Sequence, residues 1–526
     1  MNYKIIKLIL CFGILAAINT SVYSQLKAAS ANDAGANTVL LKNRSRMIPL
    51  KALENRKIAS INTGSEYSIT FDSLLKKYAA VKSFVSADYR TDSTDIDDLS
   101  GDLKYYNTLI VQVTSQSLND PEIIRFITDN QKRKEVIIAG FGDLNSLKNL
   151  DDVIGPVVWS TDYSGASADH TAQLIFGGVA TTNKLKKTIS RRYRSRYGYS
   201  TVKTRLGYSS PESAGINSSD LYSIDTIVAQ AIREKASPSA VIMVIKDGSV
   251  IFNKAYGTHT YDGTQSTRVS DIYDMASLTK VSATTMSVMK LYDQQKINLD
   301  RTIGDYLPMA RKTNKNDIKV REVLAHQSGL TAVGFHNKIK PEDHSSDSSY
   351  AFPVKVAENY FLRRNYFEEK MWPALLKAPI RNRGSYFYTD MNMYVMKEIV
   401  EWQSGIPMDL YVQNQFYKPL GMYTAGFTPR RRFEKEQIVP TQNDERFRKS
   451  LLLGYVHDEG AAMLGGVSGH AGLFASANDL GILYQMMLNR GTYGGRRYLK
   501  PQTVDLFTAK QSAVSRRGLG FDRWDS

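Results

Sequence analysis

The sequence predicts an α/β sandwich domain followed by an α+β domain, and three observations carry that expectation. Between Thr38 and Gly178 short apolar runs alternate with helical stretches, the pattern of a mainly parallel sheet with helices on both faces. From Leu221 a helix precedes two strand-like runs flanking Asp247-Gly248, a strong short-range hairpin signal. Further on, Ser277-Leu278-Thr279-Lys280 stands where the strand-like run 271–275 turns into an amphipathic helix expected from Ala276 to about Lys296.

In the first domain, 57–62, 108–113, 136–140 and 157–160 read as strands. Residues 71–79 read as a helix. Asp120-Pro121 places a capping residue and a first-turn proline at the start of another, running to about Lys132. A further helix, 169–176, ends at Gly177-Gly178. The boundary falls near Leu206-Gly207, which divides the chain into 25–206 and 207–526. In the second domain 221–235 reads as a helix, 240–246 and 250–254 as the hairpin strands, and Met391 to about Trp402 as a helix.

Residues 1–24 read as a cleaved secretory signal. Lys4 and Lys7 form the positive start, 5–17 the apolar core and Val22-Tyr23-Ser24 the small-residue cleavage site. A periplasmic or exported location follows as an expectation. The single cysteine, Cys11, lies inside that leader, which excludes disulfides, cysteine catalysis and thiolate metal sites from the mature chain. The seven histidines include no H-E-x-x-H, so no metal site and no cofactor is expected.

The formal net charge is +16. Much of the excess lies between Lys184 and Arg205, interleaved with Tyr193, Tyr197 and Tyr199. That stretch reads as a solvated interdomain connector, with an anionic envelope polymer as its possible partner. No groove-reading element accompanies it, so no nucleic-acid partner is expected.

Ser277 at a helix start feels the positive end of the helix dipole and free N–H groups. Lys280, three residues on, lies on the same face within reach of the hydroxyl. A nucleophile, a base and an anion-stabilising environment are what acyl transfer requires. Ser24/Lys27, Ser73/Lys76, Ser200/Lys203 and Ser287/Lys290 share the spacing but not the strand–turn–helix setting. Tyr388-Thr389-Asp390 precedes a helix, so its side chains can sit in a loop facing a cleft, and it is the candidate for a second polar group that assists the lysine. Tyr105-Tyr106-Asn107 matches the same loose pattern elsewhere.

The Ser-x-x-Lys element resembles the motif that opens the set found in serine β-lactamases and penicillin-binding proteins. Tyr388-Thr389-Asp390 resembles the Y-x-N element of class C β-lactamases and their esterase and peptidase relatives, with Asp390 where asparagine is commonest. Leu324–Leu330, Tyr455–Glu459 and Gly465–Phe474 look like class C β-lactamase-like proteins. The last two resemble those that follow a family 3 glycosidase module in one polypeptide. Asn37–Asn43 with Ile48-Pro49-Leu50, and Gln173–Gly178, resemble the second, α/β sandwich domain of family 3 glycoside hydrolases. The (β/α)₈ barrel that carries that family's nucleophile would need about 200 residues. Only a short linker separates the leader from this domain, so no glycosidase activity is expected.

The resemblance implies a β-lactamase/transpeptidase-like second domain. Ser277 would be the nucleophile, Lys280 its base and Tyr388 a proton-transfer partner, with Asp390 and His326 at the substrate. His326, His457 and His470 read as structural or cleft-lining. The family's K-T-G or H-T-G strand is not found, and Arg516–Asp522 resembles the stretch shortly before it. The sequence as printed is therefore expected to lack the last strands of the domain. Two readings stay open. One is a serine acyl hydrolase acting on a β-lactam, an ester or a peptidoglycan peptide. The other is a catalytically impaired envelope protein that binds cell-wall fragments.

Overall fold

The computed structural model describes residues 34–91 and 95–524. The expected leader, with Lys4, Lys7 and Cys11, lies outside the described residues. Two compact units form. The first holds residues up to Ala236, with Ile242–Lys254 and Gly494–Arg496. The second holds Ser237–Val241, Ala255–Tyr493 and the residues from Arg497 on. The first unit thus runs past Leu206 and takes in the helix Tyr222–Arg233.

The first unit is built on a six-stranded sheet. Its strands are β1 (Thr38–Leu41), β2 (Ile58–Asn62), β3 (Val81–Val85), β4 (Thr108–Thr114), β5 (Glu135–Phe141) and β6 (Val157–Ser160). The order is β1-β6-β5-β4-β2-β3, and all neighbours are parallel except β1 with β6. Alternate residues go to opposite faces, as the strand period requires. Leu109, Val111 and Val113 pack with Ile96 and Leu99 of α2 (Ile96–Asp102) and Phe126 of α3 (Pro121–Asn130). Ile110 packs with Phe71 of α1 (Ser68–Leu75) and Ile175 of α4 (Gly165–Phe176). Strands buried on both faces read as continuous apolar runs, which is why β4, β5 and β6 were legible as strands.

The differences from expectation are local. β3 reads Val-Lys-Ser-Phe-Val, too polar for an apolar run because it lies at the sheet edge. α2 is opened by a capping box of Asp95 and Asp98, in which an aspartate replaces the usual glutamate or glutamine. Asp120 caps α3 through the Glu122 N–H, and Gly177 closes α4 at φ 83°, both at the expected positions.

The basic stretch is partly built into the first unit. Tyr193 is buried in the core. Arg205 is buried and donates to the carbonyls of Leu50 and Phe176 at 2.7 and 2.6 Å. Lys184, Lys186, Lys187, Arg191, Arg192, Arg194 and Arg196 stay exposed.

The hairpin forms as Ser239–Lys246 and Ser249–Gly257. Asp247 and Gly248 both have positive φ, 50° and 70°, the conformation that matches strand twist in a two-residue turn. In the second unit a short antiparallel sheet sets Leu473–Ala475 between Tyr273–Asp274 and Gly426–Phe427. The long buried helix Met391–Ser404 packs beside Met286–Asp293. No helix among the described residues is long and apolar enough to cross a membrane.

Candidate active site

The turn that carries Ser277 is held from both sides. The Met275 N–H donates to Leu473 O at 2.8 Å, continuing the pairing of Asp274 with Phe474. The Asp274 carboxylate accepts the Ala276 N–H at 2.8 Å and the His457 N–H at 2.6 Å. Burial raises the Asp274 carboxyl above its usual range, against the pull of those two donors. Ala276 sits at φ 43°, a left-handed conformation costly for a residue with a Cβ. It reverses the chain so that Ser277 stands exposed at the mouth of the following helix. The helix begins later than Ala276, at Leu278, and passes through a π-helical turn at Lys280–Thr285 into Met286–Asp293. Such turns recur at functional sites because they re-aim side chains.

Lys280 is 4% exposed. Its Nζ donates to Ser277 Oγ at 2.8 Å and to His470 O at 3.2 Å. It forms an ion pair with Asp390 Oδ1 at 2.7 Å. The ring of Tyr388 covers it, with Nζ 5.0 Å from the centroid. The structure therefore gathers Ser277, Lys280, Tyr388 and Asp390 at one place. Asp390 reaches the lysine, and Tyr388 presents its ring to the lysine.

His326 lies behind Tyr388, stacked on its ring at 4.7 Å. It is 1% exposed, so burial, together with the charges of Arg517 and Lys280, lowers its imidazole to about 3. Nδ1 faces the Asn392 side chain at 2.9 Å and the Thr389 N–H at 3.3 Å, so it accepts from both. The proton then rests on Nε2, which is buried without a hydrogen-bond partner among the described residues. Ser328 Oγ donates to Asn392 Oδ1 at 2.5 Å and fixes the amide. His326 thus positions the Tyr388–Asp390 segment rather than lining an open cleft.

On the other side of Lys280, His470 Nε2 pairs with Asp458 Oδ1 at 2.7 Å and its Nδ1 with Ser468 Oγ at 2.9 Å. Burial pushes Asp458 up, but His470 and the Ala461 N–H outweigh it and hold the carboxyl at about 2. The ligand atoms of Asp390, Asp458 and His470 lie within 4.8 Å of one another, a spacing that would suit a cation. The lysine Nζ, bonded to Asp390 and to the His470 carbonyl, places positive charge in that group.

Asp458 and the His470 carbonyl were not assigned by sequence reasoning. The available signal was Asp458 as a helix cap, which accepts the Ala461 N–H at 2.7 Å. Gly469 explains the glycine beside His470, since a Cβ there would lie 2.0 Å from Met393 O. Gly469→Ala will push the Ser468–His470 segment off the helix and displace the carbonyl that holds Lys280. The expected result is a loss of about tenfold to a hundredfold in kcat, measured by steady-state kinetics on a chromogenic ester.

The sequence profile of the beta-lactamase family matches residues 224–524. The chain belongs to the beta-lactamase family. It is a serine hydrolase of the β-lactamase-related type, and its C-terminal part has the β-lactamase/penicillin-binding-protein fold. This β-lactamase-family chain is 31% identical over 343 residues to an Escherichia coli protein named "Putative D-alanyl-D-alanine carboxypeptidase", covering 60% of this chain and 75% of that one. It is also 31% identical over 339 residues to a Bacillus subtilis N-acetylmuramyl-L-alanine amidase, covering 59% and 73%. Among solved structures, the octameric penicillin-binding protein homologue from Pyrococcus abyssi is similar over 55% of this chain and 60% of that one, at 19% identity and a TM-score of 0.43.

Proposed function

We propose that the chain is an exported acyl hydrolase that cleaves amide bonds in peptidoglycan-derived peptides through Ser277. The observation that carries this reading is the 2.8 Å hydrogen bond between an exposed serine hydroxyl and a buried lysine amine. Ser277 Oγ attacks the carbonyl carbon. Lys280 accepts the hydroxyl proton as it releases one to the Asp390 carboxylate, 2.7 Å away. The tetrahedral oxyanion is met by the Ser277 N–H at the helix mouth. Tyr388, whose ring covers the lysine, gives its hydroxyl proton to the departing amine. Water then attacks the acyl carbon as Tyr388 takes a proton from it, and the Asp390 proton returns through Lys280 to the departing Ser277 Oγ, so all four groups end as they began. The amide and peptide substrates named for the two relatives favour wall peptides over simple esters.

The first unit fits the reading as a docking module of the family 3 glycoside hydrolase sandwich type, and the leader expected over 1–24 would carry the chain to the envelope. The exposed cations between Lys184 and Arg196 suit an anionic wall polymer.

The test is intact mass after exposure to a penicillin and, separately, to a fluorophosphonate, with Ser277→Ala as control. A single adduct on the wild-type chain, absent from the variant, is expected. A folded protein that takes up neither reagent would overturn the reading and leave binding of wall fragments without turnover.

A further inference from the structure

A cavity of about 240 Å³ opens in the second unit, lined by Lys355, Arg430, Arg431 and Tyr455 among others. It shares walls with the nucleophile's turn. Phe474, which lines it, pairs with Asp274, and Val456 precedes the residue whose N–H that aspartate accepts. The volume is below the roughly 300–1,000 Å³ of pockets for drug-sized ligands, so it suits one residue of a larger substrate.

The wall is constructed rather than incidental. Gly454 has φ 73°, and a Cβ there would lie 2.5 Å from Arg430 Cγ, so the arginine lies flat across the glycine. The Arg430 guanidinium donates to Tyr455 Oη at 2.7 Å and stands 5.1 Å from its ring centroid. Lys355 Nζ lies 5.7 Å from the same centroid, so two cations stand at the tyrosine ring. Glu358 accepts from Arg430 and, at 2.8 Å, from the Tyr455 hydroxyl. Arg430 first, then Tyr455, hold its carboxyl at about 2, so it is charged at every working pH. Three cations, Lys355, Arg430 and Arg431, therefore line the cavity, and Glu358 pairs with one of them, Arg430. Lys355 and Arg431 are exposed and form no ion pair among the described residues.

The geometry points to this cavity as a subsite for a carboxylate of the substrate, set one strand away from Ser277 and separate from the bond that is cut. A peptide carrying an acidic side chain or a free carboxyl near its scissile amide would seat that group between Lys355 and Arg431. Arg430 and Tyr455 would be held in place by Glu358. The assignment rests on the acyl-hydrolase reading only for calling the ligand a substrate, because binding is measurable without turnover.

The test is isothermal titration of the Ser277→Ala chain with N-acetyl-D-glutamate, its bis-amide and inorganic phosphate. The same titrations are then run in a Lys355→Met/Arg431→Met background. Both cations are solvent-exposed, so the double variant keeps its fold, which near-UV circular dichroism checks. The dicarboxylate is expected to bind with a salt-sensitive Kd that weakens about tenfold or more in the double variant. The bis-amide is expected to be insensitive to the same change. Equal affinity for acid and amide, or an unchanged Kd in the double variant, would overturn the assignment. Phosphate binding that depends on Lys355 and Arg431, with no dicarboxylate binding, would overturn it as well and mark a plain anion site. A failure of penicillin or fluorophosphonate to label Ser277 bears on the hydrolase reading and leaves these titrations intact.

Discussion

Lys280→Met will lower the rate of Ser277 acylation by about a thousandfold or more, the range expected when a positioned general base is lost. The methionine fills most of the lysine's volume but removes the hydrogen-bond donor to Ser277 Oγ, 2.8 Å away. It also leaves the Asp390 carboxylate without the charge it pairs with. Breaking a buried ion pair costs about 3–5 kcal/mol when both partners are enclosed. Asp390 is 38% exposed at its side chain, so solvent screens it and a loss of about 1–2 kcal/mol is expected instead. The protein should therefore fold, and the rate loss can be attributed to chemistry. Lys280→Arg separates the two roles. A guanidinium can keep the Asp390 pair but cannot give up its proton. Lys280→Arg acylating at close to the wild-type rate in stopped-flow labelling would show that Lys280 supplies charge alone and that the base lies elsewhere.

Acidification from pH 6.5 to pH 4.5 will destabilise the second unit by about 2–3 kcal/mol through His326 alone. In the folded chain its imidazole is lowered to about 3 by burial and by the charges of Arg517 and Lys280. An unfolded histidine titrates near 6.5, roughly its free value. Between those limits the unfolded chain binds more protons, so stability falls as pH falls and is fully present only above the unfolded value. His170, lowered to about 4 by burial, acts in the same direction in the first unit, so a control is needed. His326→Asn suits the purpose. His326 has φ 55°, which asparagine tolerates, and an amide oxygen can accept as Nδ1 does. Urea unfolding at several pH values is expected to give a wild-type stability that drops more steeply below pH 6.5 than that of the variant, by up to about 1.4 kcal/mol per pH unit. Parallel profiles would mean that the buried imidazole does not couple to folding.

Much of the candidate site could be read from local pattern because its residues are grouped locally in the chain. Ser277 and Lys280 are three residues apart, and the strand-to-helix change around them separates this pair from the other Ser-x-x-Lys matches. Tyr388 and Asp390 could be placed because they immediately precede a long apolar helix, Met391–Ser404. What stayed hidden depends on contacts between distant segments. Nothing in the letters around Asp458 shows that it meets His470, or that the His470 carbonyl meets Lys280 190 residues earlier. His326 read as structural or cleft-lining, and the family resemblance implied a place at the substrate. Its burial beneath Tyr388 follows from a left-handed backbone and a Ser328–Asn392 bond that sequence spacing does not encode. In the first unit the inner strands β4, β5 and β6 were legible because both faces are buried. The edge strand β3, half solvated and carrying a lysine, gave no such run.

The Asp274 carboxylate carries a consequence for how the protein is made. One of its two N–H donors lies two residues away, and the other, on His457, lies 183 residues further along the chain. The strand that receives the Met275 N–H is later still, at Leu473–Ala475. During synthesis the Ser277 turn therefore emerges long before the groups that fix it. A nascent chain shorter than about 475 residues carries Ser277 but lacks the Leu473–Ala475 strand that braces the left-handed turn at Ala276. The contacts that shape the Ser277 turn form at a late step of biogenesis, when the distal segment closes against it.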